Sequence, residues 1–135
     1  LVNFTVTTAS DIPVAGELTL RQAIASANAT IAADTISFDS GLDGSTIRLT
    51  QGELAIAEQL TINGDIDGDG APNITITGDR MGNDTIDASS ITEVLGSYFS
   101  QLSDNSRIFN VLGVSTATTI IGVTLTGGRT TLTAR

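Results

Sequence analysis

The chain contains no cysteine, no histidine, no lysine and no tryptophan. Without cysteine there are no disulfides and no thiolate chemistry. Without histidine as well, the usual zinc ligands are missing. The six basic residues are all arginine, against 15 acidic ones, for a formal net charge of −9. A phosphate backbone or an anionic membrane surface needs clustered cations, so nucleic acid is excluded as a partner and divalent cations are favoured. No apolar run approaches the roughly 20 residues that span a bilayer, which excludes membrane insertion by a helix. The opening "LVNFTVTTAS" carries no signal-peptide pattern, which fits a mature or excised fragment.

What is present points to one folded domain over 1–135. Hydrophobic residues make up 40% of the chain and charged residues 16%, a balance that builds a core and argues against disorder. Most of the sequence reads as short segments rich in Ile, Val, Leu and Thr with period-two alternation: NFTVT, DTISFD, STIRLT, GELAIA, LTING, NITITG, RIFNVLG and TTIIGVTLTGG. Gly, Asp, Asn and Ser mark the junctions.

Two stretches break the β pattern. In "ELTLRQAIASANAT", Leu20, Ala23, Ile24 and Ala27 share one helical face, and Thr19 with Gln22 forms a capping box. A helix is predicted from Leu20 to Asn28. In "SSITEVLGSYFSQLSDNS", Ser90 and Glu93 form a second capping box. A short helix is predicted there, inside an insertion spanning 79–106. Its Tyr98 and Phe99 are candidates for packing that insertion or for anchoring a ligand.

The β segments repeat weakly at a little over two dozen residues, a period that suits repeat architectures. With the segments "GELTLRQAIASANA", "GSTIRLTQGELAIAEQLTING", "ITITG" and "IIGVTLTGG", the chain resembles the N-terminal end of right-handed parallel β-helix domains of large bacterial surface and secreted proteins, among them adhesins and matrix proteins. The resemblance implies an all-β solenoid in which the helix Leu20–Asn28 caps one end. It implies an extracellular or cell-surface location and a structural role in adhesion or filament assembly. Open solenoid edges admit self-association. The alternative within the same resemblance is the N-terminal part of a carbohydrate-active, polysaccharide-binding or lyase-like enzyme, because fold does not fix function.

The densest chemistry lies in "DIDGDGAPN". Asp65, Asp67 and Asp69 alternate and are followed by Gly70, a spacing that lets a tight loop aim three carboxylates at one point. The pattern resembles the calcium loops of EF-hands and dockerins. Ala71 would offer a backbone carbonyl, and Asn73 would contribute a further oxygen. Ile76 stands where those loops place a bidentate Glu, so the expected ligand is calcium held weakly. A second acidic cluster, "GDRMGNDTID", adds Asp79 and Asp84 as metal candidates, with Asn83 and Asp87 beside them. The competing reading of both clusters is a solvated polar turn. Arg21, Arg48 and Arg107 are the bases a lyase would draw on, but no spacing sets them beside a metal. No catalytic residue is assigned.

Overall fold

The computed structural model describes residues 2–79, 107–112 and 117–127. The alternating segments form nine short strands: β1 (Asn3–Val6), β2 (Asp34–Phe38), β3 (Thr46–Arg48), β4 (Leu54–Ile56), β5 (Leu60–Asn63), β6 (Ile74–Thr77), β7 (Phe109–Val111), β8 (Thr118–Ile121) and β9 (Val123–Thr126). Every pairing is parallel. The sheets have orders β1-β2-β5-β8, β3-β6-β9 and β4-β7.

The period-two pattern does what it predicts. Ile36 and Phe38, Leu54 and Ile56, Leu60 and Ile62, and Ile74 and Ile76 point into one core, while the residues between them face out. The register stacks like on like: Ile36 opposite Ile62, Ile62 opposite Ile120, and Ile47 opposite Ile76. Each fully buried Ile or Leu contributes about 1.5–3 kcal/mol. Thr77 departs from the pattern. Expected to face water, it is buried, and its hydroxyl accepts from the Asp79 N–H at 3.1 Å.

The helix α1 (Leu20–Asn28) forms as its caps predict. Thr19 accepts from the Gln22 N–H and the Gln22 side chain accepts from the Thr19 N–H, each at 3.0 Å. Its apolar face packs against β1, β2 and β4.

The expectation of an all-β, right-handed parallel β-helix is corrected. The described residues form three separate small parallel sheets with one helix, a mixed α/β-like arrangement, and no sheet among them closes on itself or runs as a solenoid. Two physical causes stand out. Glycine and polar turns end strands after three to five residues, and across those turns consecutive strands such as β2 and β3 pass to different sheets. The segment "TTIIGVTLTGG" shows this: Gly122, at φ +66°, splits it into β8 and β9, which join different sheets. In addition, α1 places Leu20, Ala23, Ile24 and Ala27 in the core, so strands alone do not line it. The helix expected within 79–106, with Tyr98 and Phe99, lies outside the described residues.

Candidate metal centre

The aspartate loop joins β5 to β6, and both of its ends are fixed by side chains the sequence supplies locally. The Asn63 carboxamide oxygen accepts from the Asp65 N–H at 3.0 Å, and the Asn73 oxygen accepts from the Ile66 N–H at 2.8 Å. Ile66 packs on the core and anchors the loop from below. The loop also rests on its neighbours. The Asn73 amide donates to Asp43 at 2.9 Å, the Gly44 N–H donates to the Asn73 carbonyl at 2.8 Å, and the Gly64 N–H donates to the Ile121 carbonyl at 2.9 Å.

Within this frame the three carboxylates converge. One oxygen each from Asp65, Asp67 and Asp69 lies within 4.8 Å of the others. Backbone amides orient them. Asp65 accepts from Gly68 and Gly70 at 3.0 and 2.9 Å, and Asp67 accepts from Asp69 at 3.3 Å. Asp69 accepts from Ala71 at 2.8 Å. Gly70 takes φ +83°, the left-handed turn its place in the loop predicts. Asp65 is half-buried, whereas Asp67 and Asp69 are exposed.

The Asp67 carboxyl records the crowding. The Asp69 N–H pulls its pKa down, but desolvation and the nearby Asp69 and Asp65 carboxyl groups outweigh that bond and leave it above the ordinary aspartate value. A cation among the three would relieve this repulsion. The donor set is oxygen only, which suits a hard divalent ion, and each ionised carboxylate retains lone pairs beyond those given to the backbone. On the chemistry of its donors, the triad fits calcium.

The other described candidates have partners of their own. The Asn73 side chain faces the base of the loop, its oxygen on Ile66 and its nitrogen on Asp43, so it braces the loop. Ala71 is exposed just past the turn and gives its N–H to Asp69. Asp79 is buried beside Arg48, whose Nη1 donates to the Asp79 carbonyl at 2.6 Å and lies 3.7 Å from its carboxylate. It is not one of the residues the structure gathers at the triad. Asp84, Asn83 and Asp87 lie outside the described residues. Ile76 is wholly buried, so no ligand comes from that position.

Sequence reasoning missed three supports. Gly122 approaches the Asp65 backbone so closely that a Cβ there would overlap Asp65 N and lie 2.7 Å from its Cα. An isolated glycine inside a strand pattern signals such an approach and was the available clue. Asp43 and Asn63 read only as turn residues. Each of the three arginines among the described residues pairs with an acid: Arg21 with Asp11 at 2.9 Å, Arg48 with Asp79 at 3.7 Å and Arg107 with Glu53 at 3.5 Å. None of these pairs involves the triad. Among the described residues no helix is long and apolar enough to cross a membrane.

No protein-family model, curated protein or solved structure matches the chain.

Proposed function

We propose that this chain is a calcium-stabilised structural module of a secreted or cell-surface protein, acting in adhesion or in extracellular matrix or filament assembly. The observation that carries the reading is the convergence of Asp65, Asp67 and Asp69 on a loop between two strands. Three carboxylates so placed repel one another unless a cation lies among them. The loop is held by Asn63, Asn73 and Asp43, so a bound ion would tie the β5–β6 connection to the β2–β3 connection beneath it. Binding to the folded state then adds stability by mass action. The absence of a bidentate Glu argues for affinity of about 10⁻⁴–10⁻³ M, the range of extracellular modules. Such a site responds to the millimolar calcium found outside cells, which is the basis for the proposed location.

The test is a thermal melt of the whole chain in EDTA and in millimolar calcium, with magnesium as the control. The reading expects calcium to raise the melting temperature while magnesium, which demands a more rigid octahedral set, does so less. Superimposable melts in EDTA and in calcium would refute the stabilising role.

A further inference from the structure

Asn63 is the one asparagine of the chain that a glycine follows. Between strand segments an Asn-Gly pair signals a hairpin, yet here it makes none: Asn63 ends β5, and the next strand, β6, belongs to another sheet. Each residue of the pair answers a separate demand. The Asn63 carboxamide oxygen accepts from the Asp65 N–H at 3.0 Å and so opens the aspartate loop. Gly64 is buried against the turn between β8 and β9, where a Cβ would lie 2.5 Å from the Gly122 carbonyl oxygen and 2.8 Å from the Val123 side chain. Only glycine lets the two backbones approach so closely.

The two demands, met side by side, create a chemical liability. An amide nitrogen whose own residue has no side chain reaches the preceding carboxamide most readily. The Gly64 N attacks Asn63 Cγ, the Cγ–Nδ2 bond breaks, and ammonia leaves with the proton of the Gly64 amide. The product is a five-membered succinimide. Water then opens the ring at one of its two carbonyls, leaving aspartate or isoaspartate at position 63. In isoaspartate the main chain runs through the former side chain and is one carbon longer.

The fold opposes the first step. The Gly64 N–H is committed to the Ile121 carbonyl at 2.9 Å, and Asn63 lies opposite Ile121 in the parallel ladder of β5 and β8. Bringing the Gly64 N onto Asn63 Cγ swings the peptide between them out of that ladder, and the packing on Gly122 and Val123 leaves no room for the swing. Reaction therefore requires β5 to part from β8, a local opening. The same tightness makes the change one-way, because a main chain longer by one carbon cannot return Gly64 to Ile121 and Gly122 together.

We propose that Asn63–Gly64 is a deamidation site that the contact of β5 with β8 holds shut: isoaspartate at position 63 marks chains in which that contact has opened, and bars them from closing it again. The device is independent of calcium.

The test incubates the parent chain in mildly alkaline buffer, folded by circular dichroism, and in urea, and follows each asparagine by peptide mass mapping. In urea Asn63 is expected to deamidate faster than every other asparagine, and in the folded chain severalfold more slowly than in urea. Equal rates at Asn63 in the two conditions, or no lead of Asn63 in urea, would overturn the proposal. The isoaspartate fraction is then separated, freed of urea and melted beside the parent and Asn63→Asp, which carries the new charge without the added carbon. The isoaspartate chain is expected to melt lowest. A melt matching the parent, or an equal loss in Asn63→Asp, would overturn the one-way barrier.

Discussion

Gly122 sits against the backbone of Asp65, with no room between them for a Cβ. This contact links the turn between β8 and β9 to the first carboxylate of the triad. Gly64 completes it, since a Cβ there would lie 2.5 Å from the Gly122 carbonyl oxygen. Substituting Gly122→Ala forces a side chain into that space at φ +66°. Overpacking costs about 1–3 kcal/mol, and the left-handed backbone adds roughly 1–2 kcal/mol. Denaturant melts of Gly122→Ala are expected to show that loss. Because the displaced atom belongs to Asp65, calcium titration should also show weaker binding than in the parent.

Asp67 gives a prediction whose sign depends on the ion. Its carboxyl pKa is raised, so its favourable contribution is present below the ordinary value of 3.8 and is lost as pH rises through the raised value. At neutral pH without calcium the Asp67 charge therefore opposes folding. Asp67→Asn is expected to leave the melting temperature unchanged or higher in EDTA. In millimolar calcium the same variant should melt below the parent, because a ligand is gone. Added salt should shrink the EDTA effect, since exposed charges are screened. Melts of both proteins in both buffers check the reversal.

Asp34 behaves in the opposite sense. The Thr30 hydroxyl and then the Val2 N–H, the latter at 2.9 Å, hold its carboxyl below the ordinary value despite burial. A lowered carboxylate stabilises the fold above 3.8, and that contribution is lost as pH falls through the depressed value. Asp34→Asn should weaken the chain at neutral pH and reduce the steepness of its acid unfolding. Stability profiles between neutral pH and pH 2 measure both effects.

Asp11 is the densest polar joint outside the triad. It is buried and accepts from Arg21 Nε and Nη2 and from the Thr50 and Gln51 N–H groups at 2.8–3.0 Å. It thereby fastens α1 to the turn between β3 and β4. Asp11→Ala leaves the guanidinium and two backbone donors without their acceptor. Breaking a buried pair costs about 3–5 kcal/mol, and urea denaturation of Asp11→Ala should fall in that range.

The elements were legible because their signals are local. Alternation located eight segments, the last of which the structure divides into β8 and β9, and Thr19, Gln22 and the face Leu20–Ala27 located α1. The aspartate spacing located the triad. What the sequence hid depends on partners far along the chain. That Asn73 turns toward Asp43, that Asp79 turns toward Arg48, and that Gly122 lies on Asp65 follow only once the strands are in register. The partition into three sheets was hidden for the same reason. Nothing local tells β8 from β9 except Gly122, and the left-handed turn of that one residue sends them to different sheets.

The central claim is that the triad holds calcium, and isothermal titration calorimetry tests it most directly. Calcium is titrated into the EDTA-stripped, dialysed chain and into Asp65→Asn, Asp67→Asn, Asp69→Asn combined. The account predicts saturable binding near one ion per chain with Kd of about 10⁻⁴–10⁻³ M, abolished in the combined variant. No saturable heat for the parent, or equal binding by the combined variant, would contradict it.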